Sequence, residues 1–340
     1  MKLQCLQEID NNLLGMSCGN GMIWISNLLG GRIFCSIGDE LIHQFRADLA
    51  KNPEPGEFNN LGGNSLWPAP EGGKFAYNYL PDGTWTVQDA VSVQPSETVS
   101  QSADFLEISK AMKLKSRQGK EIKMNFERRV KPLDLEKTCS EYNLRGVGYH
   151  SDESLTPQGE YPIDDFLVAA WSLEQFPGAD GVVAFGKTAS QAEGCINDDF
   201  YGNPHPRLSY HDHVFQFKLG GPDRLQIGIK AEFAPELIGT LDEQRGLLII
   251  RTTPVRSDGR YINIADNDQP NGVYSAADCF SIFNGASELN FYELETIAPM
   301  QEENGILGAS RLESETMIFQ GAVADLKRCL EQCFKIKLQN

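Results

Sequence analysis

Histidine is scarce in this chain: five in 340 residues. Positive charge is also in short supply, with 30 Lys and Arg against 47 Asp and Glu and a formal net charge of −17. A surface this acidic repels phosphate backbones and anionic headgroups, which argues against nucleic acid and membranes as partners. No apolar run approaches the length of a membrane span. The eight cysteines are scattered and form no CxxC pair, so reduced, mostly buried thiols are expected. The amino terminus has no basic segment followed by an apolar core. That predicts a cytoplasmic protein, although a periplasmic one with its leader removed reads the same way. A Walker loop, a GxGxxG after a strand, a GxSxG elbow and an HExxH pair are all missing. No cofactor is expected. There is no repeat and no linker rich in Pro or Ser, so residues 1–340 are expected to form one domain.

What the chain does have is period-two alternation. "EIKMNFE" sets Ile122, Met124 and Phe126 against Lys123, Asn125 and Glu127. "FAYNYL" aligns Phe75, Tyr77 and Tyr79, and "RLQIGIKAEF" aligns Leu225, Ile227, Ile229, Ala231 and Phe233. "VFQFKL" and "GLLIIRT" read as further strands, with turn signals at "PDG", "GGPD" and "SDGR". The pattern predicts an all-β protein of large antiparallel sheets, with on the order of 25 to 30 strands. Helical periodicity appears mainly at the end. In "GAVADLKRCLEQCFKIKL", Val323, Leu326, Leu330, Cys333 and Phe334 form one stripe, which predicts a C-terminal helix covering a sheet.

Several stretches carry candidate chemistry. "NLGGNSLWPAPEGG", Asn60 to Gly73, surrounds Trp67 with glycines and prolines. Such glycines let a backbone turn tightly and approach a ligand. An indole face stacks on sugar C–H groups, and Asn64 and Glu71 would suit sugar hydroxyls; a Trp plugging one end of a sandwich is the bland alternative. In "NFYELETIAP", Glu293 and Glu295 share a strand face with Phe291 and Ile297. If that face lines a cavity, one carboxyl acquires a raised pKa and acid–base capacity; otherwise both are simply solvated.

His211 and His213 in "YHDHVF" lack a third ligand at metal-binding spacing, so no metal site is expected. His150 in "GVGYHSDES" is a candidate proton donor or an ordinary loop histidine. Lys230 points away from Ile229 and either binds a ligand group or sits in water. "YINIADNDQPNG" reads as a polar turn around Asp266 and Asp268.

"LGGNSLWPAPEGG", "VAAWSLEQFPG" and "FNGASELNFYELETIAP", in that order, resemble a bacterial branch of the galactose mutarotase-like proteins, the aldose 1-epimerase superfamily. The resemblance covers roughly residues 20 to 330 and implies a β-supersandwich with a sugar cleft on one concave face. Aldose epimerases use a glutamate to take the anomeric hydroxyl proton and a histidine to protonate the ring oxygen. This chain departs from that pattern. Leu66 and Trp67 stand where the first histidine is expected, and Trp171 in "AAWSLEQF" takes the place of the second. In "RLESET", Glu315 is nearest to the base. By this resemblance the two tryptophans make a stacking platform. His150, His211, His213 or Lys230 then substitutes as the acid, with Glu71 or Glu293 as its carboxylate partner.

Three readings follow for the partner, a small-molecule sugar or oligosaccharide. The first is an isomerase or epimerase using Glu293, Glu315, His150 or His211, with Asn64, Trp67, Glu71, Trp171, Lys230 and Glu295 binding substrate. The second is a carbohydrate-binding protein without catalysis. The third is a polysaccharide lyase or a glycoside hydrolase accessory.

Overall fold

Alternating strands bury one face each, and here they do so by packing two ten-stranded antiparallel sheets against one another. A computed structural model of the chain describes residues 1–265 and 272–339. Asp266 and Asp268 lie outside the described residues. The first sheet runs, in spatial order, Leu14–Cys18, Gly21–Ser26, Arg32–Ile37, Asn64–Ala69, Ala169–Pro177, Phe291–Ile297, Asp278–Asn284, Leu225–Lys230 and Ile196–Asn197, with Glu40–Leu41 beside the third strand. The second runs Leu208–His211, Val214–Lys218, Val183–Thr188, Pro235–Asp242, Leu247–Thr252, Ser310–Gln320, Arg145–Pro157, Glu121–Pro132, Leu106–Lys115 and Glu97–Gln101.

There are 22 strands among the described residues, fewer than the turn spacing suggests. The difference lies in strand length. Glu121–Pro132 has 12 residues and Arg145–Pro157 has 13, so fewer strands consume more chain.

Three packing layers result. Between the sheets lie Ile23, Ile33, Leu66 and Leu294 from one side and Ile108, Phe126, Val147 and Ile318 from the other. On the outer face of the second sheet, Leu248, Ile250 and Phe319 pack against the helix Val323–Cys333. Its buried residues are Leu326, Cys329 and Leu330, while Cys333 is exposed. The buried stripe is therefore rotated from the expected one, so that Cys329 replaces Cys333 on the sheet. On the outer face of the first sheet, Phe34, Phe45 and Leu61 pack with Leu6 at one end. Further along that face, covering segments leave a cavity over the sheet.

Two expected features take another form. "FAYNYL" is not a strand: Tyr77 O accepts from the Gln88 side chain at 2.6 Å and Ala76 O from the Arg117 amide at 2.8 Å. Those acceptors are satisfied without a ladder, and Phe75 and Tyr77 are buried individually. "NLGGNSLWPAPEGG" holds a central strand, Asn64–Ala69, between irregular ends. Gly62 and Gly63 have φ of +77° and +66°. A Cβ at Gly62 would fall 1.8 Å from Gln44 O, so this glycine admits the protein's own backbone rather than a ligand.

Charge is buried between the sheets. Glu174 carries an ion pair with Arg251, a 2.8 Å contact from Oε1 to His43 Nε2, and hydrogen bonds from Tyr149 Oη at 2.7 Å and Thr316 Oγ1 at 2.7 Å. Arg251 also donates to Ser172 at 2.7 Å and Thr296 at 3.0 Å. Beside it, Arg128 pairs with Glu153 at 2.5 Å and donates to Asn64 Oδ1 at 2.8 Å. Burial alone would raise the Glu174 pKa, but Arg251 and His43 outweigh it and hold the carboxyl at about 2.

Glu174→Ala leaves the Arg251 guanidinium buried without its counter-charge and is expected to cost about 3–5 kcal/mol. Because the folded pKa lies below the ordinary 4.5, the wild-type contribution is present above pH 4.5 and lost as pH falls from there to about 2. Urea unfolding of both proteins near neutral pH and in acid checks this. A loss below about 1 kcal/mol at neutral pH would remove the pair from the stability argument.

Candidate functional site

The open part of the first sheet's outer face carries a cavity of about 730 Å³. Register decides what faces it. Trp67 pairs with Trp171, Leu173 with Glu295, Gln175 with Glu293, and Glu293 with Phe283. Side chains directly opposite on neighbouring strands share a face. One apolar and acidic floor is thus assembled from the Asn64–Ala69, Ala169–Pro177, Phe291–Ile297 and Asp278–Asn284 strands. Gln226, from Leu225–Lys230, completes it.

The floor is held by hydrogen bonds among its own residues. Trp171 Nε1 donates to Glu295 Oε2 at 2.9 Å, and Gln226 Nε2 reaches both Glu295 oxygens at 3.3 Å. Gln175 Nε2 donates to Glu293 Oε1 at 2.7 Å, and the charge on one carboxyl acts on the other. Glu295 is fully covered, whereas Glu293 keeps 6% exposure. Burial raises the Glu293 pKa to about 7, against the lowering influence of Gln175, Arg224, Arg32 and Glu295. Burial raises Glu295 further, and the neighbouring Glu293 charge adds to this, against Ser281, Trp171 and Arg251. Near neutral pH the pair therefore holds at least one proton.

Aromatic side chains line the way in. Trp171, Trp67, Phe58 and Trp85 meet edge to face in succession, with ring centroids 6.3, 6.2 and 6.0 Å apart. Trp67 is buried, yet its Nε1 finds no protein acceptor. On the opposite wall, the Arg224 guanidinium lies 4.3 Å from the Tyr201 ring centroid and 5.3 Å from that of Phe283.

The sequence candidates separate into two groups. Trp67, Trp171, Glu71, Glu293 and Glu295 all line this cavity. Asn64 does not: alternation turns it to the inter-sheet face, where it donates to Tyr149 Oη at 3.0 Å. Lys230 lies outside the lining and donates to Gly194 O at 3.1 Å. His150 and Glu315 do meet, directly opposed in register and 3.6 Å apart, but on the outward face of the second sheet. His211 is exposed beside Asp212 on an edge strand, and His213 faces Ser190 O at 2.8 Å.

Sequence reasoning missed Phe58, Trp85, Arg224, Gln226 and Phe283. Alternation already set Gln226 opposite Leu225 and Ile227, whereas Phe58 and Trp85 reach the cavity from irregular segments with no readable period. Among the described residues, no group of three or more His, Cys, Asp or Glu stands together as a metal site, and no helix is long and apolar enough to cross a membrane.

Because the Glu293 pKa is raised from an ordinary 4.5 to about 7, its contribution to stability is present below pH 4.5 and is lost as pH rises to about 7. Thermal melts of wild type and Glu293→Gln across that window are expected to diverge in slope, with the wild type falling more steeply. Parallel curves would show that this carboxyl titrates normally.

Solved structures similar to this chain include three of the kind the sequence motifs resemble. One is a protein provisionally assigned as an aldose 1-epimerase from Escherichia coli K12, at 14% identity and TM-score 0.47, covering 91% of this chain and 98% of that one. Another is a galactose mutarotase related enzyme from Lactobacillus acidophilus, at 9% and 0.49, covering 91% and 98%. A third is a galactose mutarotase-like protein from Lactobacillus casei ATCC 334, at 10% and 0.45, covering 91% and 99%. No curated protein matches the chain. One family model matches residues 3–340, and by it the chain belongs to the family of unknown function (DUF6786).

Proposed function

We propose that this chain binds a free sugar in the cavity of its first sheet and interconverts the sugar's anomers there. The observation that carries the reading is the Glu293–Glu295 carboxyl pair on the floor of an aromatic-walled pocket. Trp67 and Trp171 line it with apolar indole surface for sugar C–H groups.

Opening a pyranose moves a proton off the anomeric hydroxyl and another onto the ring oxygen. These two oxygens sit on the same carbon. A protonated carboxyl spans them: its hydroxyl gives a proton to the ring oxygen while its carbonyl oxygen takes one from the anomeric hydroxyl. The bond between the anomeric carbon and the ring oxygen breaks, the aldehyde rotates, and reversal of both transfers closes the ring on the other face. Glu293 is placed for this role, being the more accessible member of the pair and protonated below about pH 7. Glu295 lies beneath it as a positioning residue, bonded to Trp171 and Gln226. No histidine is needed, which fits a site whose floor has none.

A second reading keeps the binding and drops the chemistry. The tryptophans at the floor favour it, since they form a platform whether or not a proton moves.

NMR exchange between α and β anomers, measured over a panel of monosaccharides, uronic acids and amino sugars, separates the two. Glu293→Gln is expected to lower the exchange rate about 100-fold or more, and the wild-type rate to fall as pH rises through about 7. An unchanged rate in Glu293→Gln would sink the catalytic reading. Saturation transfer without exchange, lost in Trp67→Ala, would establish the binding one.

A further inference from the structure

We infer that the ligand is a reducing oligosaccharide, which enters anomeric end first and rests its second sugar unit on a rim subsite built from Phe58, Trp85 and Leu289. This rests on the sugar reading of the floor and extends it outward.

Size is the first observation. Pockets of roughly 300–1,000 Å³ take drug-sized ligands. This cavity, at about 730 Å³, lies in the upper part of that range, and a single pyranose is smaller than such a ligand.

The second observation is the aromatic track. It does not stop at the floor. Exposure rises along it from 1% at Trp171 and 4% at Trp67, through the partly buried Phe58, to 37% at Trp85. Each step is close to the length of one sugar ring. Leu289, 38% exposed, is also part of the cavity lining. Large apolar side chains left in water at a cavity mouth mark a binding surface.

The third observation is that Trp85 is held in place. Tyr79 and Trp85 bridge across a tight turn, closed by Leu80 N to Thr84 O at 2.8 Å and Gly83 N to Leu80 O at 2.9 Å. Asp82 caps it through the Thr84 amide at 2.9 Å. Trp85 meets Phe58 at 78° between ring planes and keeps 37% of its surface exposed, which is the part a ligand can reach. A fixed indole loses little side-chain freedom when a sugar stacks on it.

Polarity follows from the floor. The carboxyl pair sits there, so the reducing carbon points down and the far side of the ring points to the mouth. A glycosidic link on that far side leads the next unit to Trp85. Glu71 and Arg224, also in the lining, offer partners for hydroxyls.

The test uses the full chain and matched probes: glucose against maltose and cellobiose, and galactose and mannose against disaccharides carrying each at the reducing end. Anomer exchange gives kcat/KM, and saturation transfer reports binding. Reducing disaccharides are expected to exceed their monosaccharides about tenfold or more in kcat/KM. Trp85→Ala should lower the disaccharide values about tenfold more than the monosaccharide values, through KM, and Trp85→Phe should restore part of the difference. Trp85 is at the surface, so a melting curve suffices to show that the variants fold. Equal kcat/KM for both lengths, or an equal loss in Trp85→Ala, overturns the rim subsite and leaves the floor reading standing. Saturation transfer to disaccharides that depends on Trp85 but comes without exchange supports the subsite and removes the catalytic role of Glu293. No exchange and no transfer for any sugar overturns both.

Discussion

The Glu174–Arg251 ion pair is the constraint on which the site depends. It stands between the sheets, out of water, and joins the Ala169–Pro177 strand of one sheet to the Leu247–Thr252 strand of the other. A pair of buried ions is tolerated only when its remaining hydrogen-bonding capacity is met, and here Ser172, Thr296, Thr316, Tyr149 and His43 meet much of it. The same strand turns Glu174 inward and Trp171, Leu173 and Gln175 outward. Fixing the inward residue therefore fixes the floor of the cavity on the opposite side. The carboxylate in the core is kept charged by its partners, while for the two on the outer face burial outweighs the pull of Arg224, Arg32 and Arg251 and drives them toward the neutral acid. One strand pair thus carries carboxyl groups of opposite character on its two faces.

Coverage explains where the cavity lies. The second sheet's outer face is closed by the C-terminal helix, and one end of the first sheet's outer face is closed by the cluster around Leu6, Phe34 and Phe45. What remains open is the middle of the first sheet, where strands distant in sequence lie side by side. Segments around Phe58 and Trp85 come over its edge as walls, so the pocket combines a rigid sheet floor with an irregular rim.

The sheets were legible because period two is a local signal, and so was the pairing of Glu293 and Glu295 on one face. The same rule, applied to Asn64, shows why it points away from Trp67. Other features depended on partners far along the chain. Nothing local in "FAYNYL" shows that Gln88 and Arg117 satisfy its backbone. Nor does anything near Gly62 reveal that Gln44 O fills the place of its side chain. His150 and Glu315 are neighbours in space, but only the stacking of sheets tells that their face looks outward. Phe58 and Trp85 were out of reach for the same reason: irregular backbone places side chains by tertiary contact, which no periodicity encodes.

The distribution of indoles has a spectroscopic consequence. Of the four tryptophans, Trp67, Trp85 and Trp171 line the cavity, and only Trp24 packs elsewhere, donating to Ser36 at 3.0 Å. The protein's intrinsic fluorescence therefore originates largely in the pocket. Trp85 is partly exposed at the rim while Trp171 is buried against a carboxyl on the floor, so an occupant of the pocket touches the very side chains that emit, and the chain carries its own optical reporter of filling.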